Sequence, residues 1–148
     1  MTAGTALAQT SVSGSCLCGG VAFRVRLPTL ACVHCHCTMC QRSHGAGYVT
    51  WIAVHRDHFE LTAGEAQLAR YASSDHGTRS FCARCGSSLF CESSHRPDDV
   101  DIALANMHGP VDREPQLHIF FDDRAPWVEV ADALPRLGGK TGLEPRER

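Results

Sequence analysis

From residue 20 to residue 27 the chain carries apolar Phe23, Val25 and Leu27 in alternation with Arg24 and Arg26. A period of two with β-branched and aromatic side chains predicts a strand that buries one face. The stretch 47–54, with Val49, Trp51, Ile52 and Val54, reads as a second strand. Shorter strands are expected at 68–72, 78–82, 88–91, 100–105 and 117–121, separated by turn formers at 63–65, 75–77 and 96–99. Helical periodicity is scarce, limited to a turn or two at 38–43 and a short one at 55–59. No internal repeat is present. The pattern predicts an all-β domain of mostly antiparallel short strands over residues 14–137. A loose lead-in rich in Ala, Thr and Ser, 1–13, and a loose tail, 138–148, are expected to flank it.

Composition narrows the class. A chain of 148 residues, 43% of them apolar, is long enough for one domain with its own core. No apolar run approaches the roughly 20 residues needed to span a bilayer. The first 13 residues carry no Lys or Arg and do not read as a signal peptide. The net charge is −2 and the arginines occur singly, so the basic stripe that nucleic-acid binding favours is missing. The expected partners are small molecules, with neither nucleic acid nor membrane involved.

Cysteine changes the picture. Nine cysteines is a high and odd number, and without a secretion signal the chain is expected in the cytoplasm with its thiols reduced. Seven of the nine fall into tight groups: Cys16 and Cys18; Cys35, Cys37 and Cys40; Cys82 and Cys85. Such spacing puts thiolates within reach of a single ion. Cys16 and Cys18 precede a strand, while Cys82 and Cys85 are followed by Gly86, which lets the chain turn back beneath a metal. Together the two pairs supply the four thiolates of a structural zinc. That site would staple residue 16 to residue 85. A redox role for Cys82 and Cys85 lacks the βαβ setting such pairs have.

Cys35, Cys37 and Cys40 would fill three corners of a second zinc tetrahedron and leave one open, the arrangement of catalytic sites. The alternative is a closed structural site completed by His34, His36, His44 or Cys32. Zinc with three thiolates carries a net negative charge, so it polarises water less than a three-histidine site does. It is better suited to holding an incoming thiol deprotonated. A thiol that meets an electrophile beside the metal is the expected chemistry.

Three stretches carry a family resemblance. They are Cys16-Leu17-Cys18-Gly19; Cys35-His36-Cys37 with Cys40 and Arg42; and Phe81-Cys82 with Cys85-Gly86-Ser87, Leu89 and Phe90. The end of the chain agrees, through Pro115-Gln116-Leu117-His118-Ile119, Pro126-Trp127 and Asp132 to Pro135. Together these resemble the glutathione-dependent formaldehyde-activating enzymes over about residues 16–137. The resemblance implies an Mss4-like β-tent with two zincs, structural at Cys16, Cys18, Cys82 and Cys85 and catalytic at Cys35, Cys37 and Cys40. It also implies a carbon–sulfur lyase of the S-(hydroxymethyl)glutathione synthase type, adding glutathione to formaldehyde. Gln41 departs from the basic residue the family often has there, and residues 106–109 lack its acidic turn.

The remaining candidates have plainer readings. Cys32 and Cys91 are expected as small core residues. Trp51, Trp127 and Phe120 are expected to pack in the core, and His118 to be a hydrogen-bonded core residue. His58 and Glu60 with Cys82 and Cys85 superficially resemble a zinc deaminase, but Phe81 stands where that motif needs proline. The rival from a different class is a non-catalytic zinc-binding β-tent module. Methionine-sulfoxide reduction would need a reactive cysteine after Cys91, and the sequence has none.

Overall fold

The computed structural model describes residues 10–146. The strands follow in chain order: β1 (Ser11–Ser15), β2 (Ala22–Arg26), β3 (Ala31–Cys35), β4 (Val49–His55), β5 (Phe59–Ala63), β6 (Leu68–Ala72), β7 (Gly77–Cys82), β8 (Ser88–Ser93), β9 (Asp99–Ala103) and β10 (Leu117–Ile119). A closing hairpin pairs β11 (Leu137–Gly138) with β12 (Glu144–Pro145). Among the described residues there is one α-helix, α1 (Thr38–His44), which leaves the end of β3.

β2 lies between β1 and β5 in an antiparallel three-stranded sheet. A seven-stranded sheet runs β10-β3-β4-β9-β8-β7-β6, antiparallel throughout except where β10 lies parallel to β3. The architecture is the mostly antiparallel, all-β one that the alternation predicts.

The core sits where the two sheets face each other. β2 sends in Phe23 and Val25, and the larger sheet answers with Ile52, Val54, Leu89, Val100 and Ile102. Phe90 meets Phe23 and Phe59 edge-on, with ring centres 5.1 and 4.9 Å away. Each such side chain contributes about 1.5–3 kcal/mol by burial. β4 is apolar on both faces: Ile52 and Val54 enter this core, while Val49 and Trp51 point the other way. There they join Cys35, Cys40 and Ala103 in a second cluster. The frame therefore places Cys35 and Cys40 on the outer face of the large sheet and Cys16 and Cys82 at the edge of the main core.

Some expectations need adjustment. The first strand begins at Ser11, so the ordered chain starts before residue 14. Its small polar residues are drawn into strand by pairing with β2. The tail past residue 138 is tied back, with Gly139 N–H donating to Asp122 at 2.7 Å and Phe120 N–H to the Gly142 carbonyl at 2.9 Å. The parts of the lead-in and tail at 1–9 and 147–148 lie outside the described residues. The helical turn expected at 55–59 is a 3-10 turn, Arg56–His58, and Phe59 already belongs to β5. Trp127 is not core: it is 73% exposed, in the irregular segment that follows buried Ala125.

Candidate metal centres

The first centre forms where two hairpin turns meet. After β1 the chain turns through Cys16 and Cys18, with Gly19 at φ 78°, and re-enters the sheet at β2. After β7 it turns through Cys82 and Cys85, with Gly86 at φ 81°. These positive φ values favour glycine because it has no Cβ to clash. Leu17 N–H donates to Ser87 Oγ at 2.9 Å and ties one turn to the other. The four sulfurs lie within 4.8 Å of one another. Cys16 and Cys18 sulfurs are 3.6 Å apart, and those of Cys18 and Cys82 3.9 Å. A tetrahedron of metal–sulfur bonds of 2.3 Å has edges of about 3.8 Å, so the four donors fit one ion. Backbone amides are aimed at the sulfurs, Val21 N–H to Cys16 at 3.3 Å and Gly20 N–H to Cys18 at 3.4 Å. Donors directed at sulfur suit thiolates.

The second centre is built from the end of β3 and the start of α1. Cys35 ends the strand. Cys37 caps the helix, its sulfur accepting from Cys40 N–H at 3.2 Å, and Cys40 sits in the first turn. Cys35 and Cys40 sulfurs are 3.5 Å apart, and all three lie within 4.8 Å of one another. Three donors at this spacing fit an ion with a corner to spare. Among the described residues, no histidine nitrogen and no fourth sulfur joins this group within that distance.

Two further side chains reach the same sulfur. Trp51 Nε1–H donates to Cys40 at 3.4 Å, and the Arg79 guanidinium at 3.5 Å. Hydrogen bonds from the neighbouring thiols, then those of Trp51 and the charge of Arg79, hold the Cys40 thiol far below its ordinary range against burial. Hydrogen bonds shared with Cys37 and Cys40, together with burial, push Cys35 up. Sulfur-directed donors and a cation make this a site for negative charge.

Sequence spacing assigns neither Arg79 nor Trp51 to this site. Arg42, the arginine beside the cysteines in sequence, is exposed on α1. Arg79 comes from β7, 39 residues beyond Cys40. Trp51 is buried as expected, but its ring nitrogen has a polar task as well. A cavity of about 330 Å³ opens beside Arg79, lined also by Ser43, His44, Tyr71, Ser88 and Phe90.

Behind the second centre a chain of polar groups runs from the buried interior to the surface. His36 is wholly buried, its Nε2 2.8 Å from His118 Nδ1. His118, 1% exposed, faces both oxygens of Asp132 at 3.0 Å through Nε2. His118 is thus the hydrogen-bonded core residue its sequence setting suggests. Tyr48 and Phe121 flank the His36 ring, with centres 5.0 and 5.1 Å away. Burial, with help from the nearby His118, lowers His36 to about 4 and keeps it neutral at neutral pH. Burial would raise the Asp132 carboxyl, but the bonds from His118 and Leu134 N–H outweigh it and hold it below its usual range. His34, His118 and Asp132 also lie close enough to share a cation. The bond from His118 to Asp132 already engages two of those three groups.

Gln41 has a definite place. Its side-chain amide donates to the His36 carbonyl at 2.7 Å and to the Asp123 carbonyl at 2.9 Å. All nine cysteines are free thiols in the described chain. Cys32 is fully buried in the main core, and Cys91 is half-buried against the second cluster. No helix among the described residues is long and apolar enough to cross a membrane.

Comparison with known proteins agrees with this frame. The model of the family described as "Glutathione-dependent formaldehyde-activating enzyme" matches residues 11–123. A Halomonas elongata protein that carries that enzyme name provisionally is 29% identical in an alignment of 126 residues that covers 80% of each chain. A crystal structure of a Rhodobacter sphaeroides protein superposes with a TM-score of 0.58 at 22% identity, covering 68% of this chain and 92% of that one. At that identity it is the fold that is shared.

Proposed function

The chain belongs to the glutathione-dependent formaldehyde-activating enzyme family, and on that premise we propose that it is a zinc-dependent enzyme joining a glutathione-like thiol to a small aldehyde such as formaldehyde. The product is an S-hydroxymethyl adduct, and the reaction class is that of a carbon–sulfur lyase. Two zincs per chain are proposed, one held by Cys16, Cys18, Cys82 and Cys85 and one by Cys35, Cys37 and Cys40. The observation that carries the reading is the three-sulfur cluster, which no other described side chain completes.

Bound at the second centre, zinc supplies Lewis acidity and favours the deprotonated form of a thiol. The rest falls to the protein's own groups. In the reaction the thiol sulfur forms the new bond to the aldehyde carbon. The carbonyl π pair moves onto oxygen, which gains the proton the thiol lost, so nothing is oxidised or reduced. Arg79 offsets the negative charge collected at Cys40 and lines the neighbouring cavity, where its guanidinium can meet a carboxylate of the thiol. Trp51 and Cys40 N–H fix the sulfurs they donate to, so Cys40 and Cys37 keep their directions as a thiol approaches. A Cβ at Gly47 would collide with Val128, so the backbone there packs closely, and the Tyr48 ring lies tilted against that of His36 with centres 5.0 Å apart.

The test is a Cys37→Ser variant loaded with zinc. It is expected to hold one tightly bound zinc where the wild type holds two, and to lose saturable glutathione binding and adduct formation. Glutathione binding unchanged from wild type would overturn the reading. So would two inert zincs that ignore added glutathione, which would leave a binding module.

A further inference from the structure

Asp132 lies outside the stretch that the family model matches, in a segment without regular structure, and yet it touches the chain of groups behind the second centre. Its two oxygens both face His118 Nε2, so that nitrogen carries a proton and donates it. In a neutral ring the other nitrogen, Nδ1, is then an acceptor. Its partner at 2.8 Å is His36 Nε2, which in that state is the donor. His36 Nδ1, a buried atom with no hydrogen-bond partner in the described structure, is then left as a bare lone pair. One carboxylate thus sets two tautomers in succession.

The consequence falls on the cysteines. His36 stands between Cys35 and Cys37, so its ring and its peptide belong to the arc that aims both sulfurs. The peptide is pinned too: His36 N–H donates to the Ile119 carbonyl at 3.0 Å, and the His36 carbonyl accepts from Gln41. The ring has one hydrogen bond, and that one leads through His118 to Asp132. Backbone bonds hold the arc in place, and the imidazole bond stops it rotating. Residues that orient a ligand loop from outside commonly govern how tightly the metal is held.

We propose that Asp132 is a positioning residue of the second centre: acting through His118, it fixes the tautomer and ring of His36 and thereby the direction of the Cys35 and Cys37 sulfurs. The inference requires that an ion binds at those sulfurs and is independent of which thiol or aldehyde reacts there. Asp132 is exposed, so its replacement removes no packed side chain from either core.

The experiment compares zinc-loaded wild type, Asp132→Ala and Asp132→Asn by the rate at which a chelator withdraws metal, with nitrogen-15 NMR of the histidine rings alongside. Asp132→Ala should speed release from the second centre by roughly 10–100-fold and leave release from the first unchanged. Asp132→Asn keeps an oxygen able to face His118 Nε2–H and should stay within a few-fold of wild type. In wild type both His118 and His36 should be protonated at Nε2. Unaltered release from Asp132→Ala overturns the proposal, as does equal acceleration at both centres, the sign of general loosening. A proton on His36 Nδ1 in wild type overturns it as well. All these readouts follow metal and protons, so loss of catalytic activity alone leaves them untouched.

Discussion

Removing two donors from the first centre is the sharpest test of what holds the fold together. Cys18 is exposed and Cys85 half-buried, so a Cys18→Ser/Cys85→Ser variant gives up the metal with little loss of packing. The other two donors, Cys16 and Cys82, are buried and remain, but a pair of thiolates is a poor zinc site. The lost constraint can be sized from the chain. Cys18 and Cys82 are 64 residues apart, and cross-linking a loop of that length removes about 4 kcal/mol of chain entropy from the unfolded ensemble. Against a typical total of about 5–15 kcal/mol, this is a large share. At about 2–4 °C per kcal/mol for a chain of this size, the midpoint should fall by roughly 8–16 °C. The assay is thermal unfolding by circular dichroism with zinc present, then with a chelator. Wild type should drop towards the variant when chelated and recover when zinc returns, while the variant, left with the second centre alone, should shift by much less. A variant that melts within about 2 °C of zinc-loaded wild type would refute the reasoning, because no cross-link of this size could then be present.

Arg79→Met removes the donors to Cys40 and to Ser43 Oγ, and should lower kcat/KM for glutathione addition by tenfold or more, from about 1.5–3 kcal/mol for hydrogen bonds to charged groups; steady-state kinetics with unchanged kcat/KM would contradict it. Gly86→Ala and Gly64→Ala both force a side chain into positive φ, at 81° and 84°. At Gly86 the new Cβ meets open space, so only the left-handed penalty of about 1–2 kcal/mol applies. At Gly64 it would collide with the backbone of Gly20, so Gly64→Ala should lower the melting midpoint at least twice as far. Equal shifts in a thermal melt would sink that comparison.

What the sequence made legible was whatever depends on near neighbours. β6 at 68–72 falls where alternation and turn residues put it, and the three cysteine groups declare themselves through spacing alone. β3 was harder to see, because a strand made of Ala31, Cys32, Val33, His34 and Cys35 looks locally like a metal loop. β1 has a single buried branched residue, Val12, and owes its form to its partner strand. β5 was hidden behind the turn at Arg56–His58, since its exposed outer face weakens the alternation. Around the second centre the missing parts are the distant ones. Arg79 is 39 residues from Cys40, and His118 is 82 from His36. Those meetings come from the pairing of β10 with β3 and from the order of strands that brings β7 beside the helix, which no local pattern encodes.

The measurement that goes most directly to the claim is zinc K-edge X-ray absorption on the two-zinc protein with and without glutathione. Seven cysteine sulfurs are expected to surround the two ions in the free protein. An eighth sulfur should appear when the thiol binds, as the lighter scatterer at the open corner disappears. A spectrum that shows seven sulfurs before and after, or eight before any thiol is added, would contradict the account.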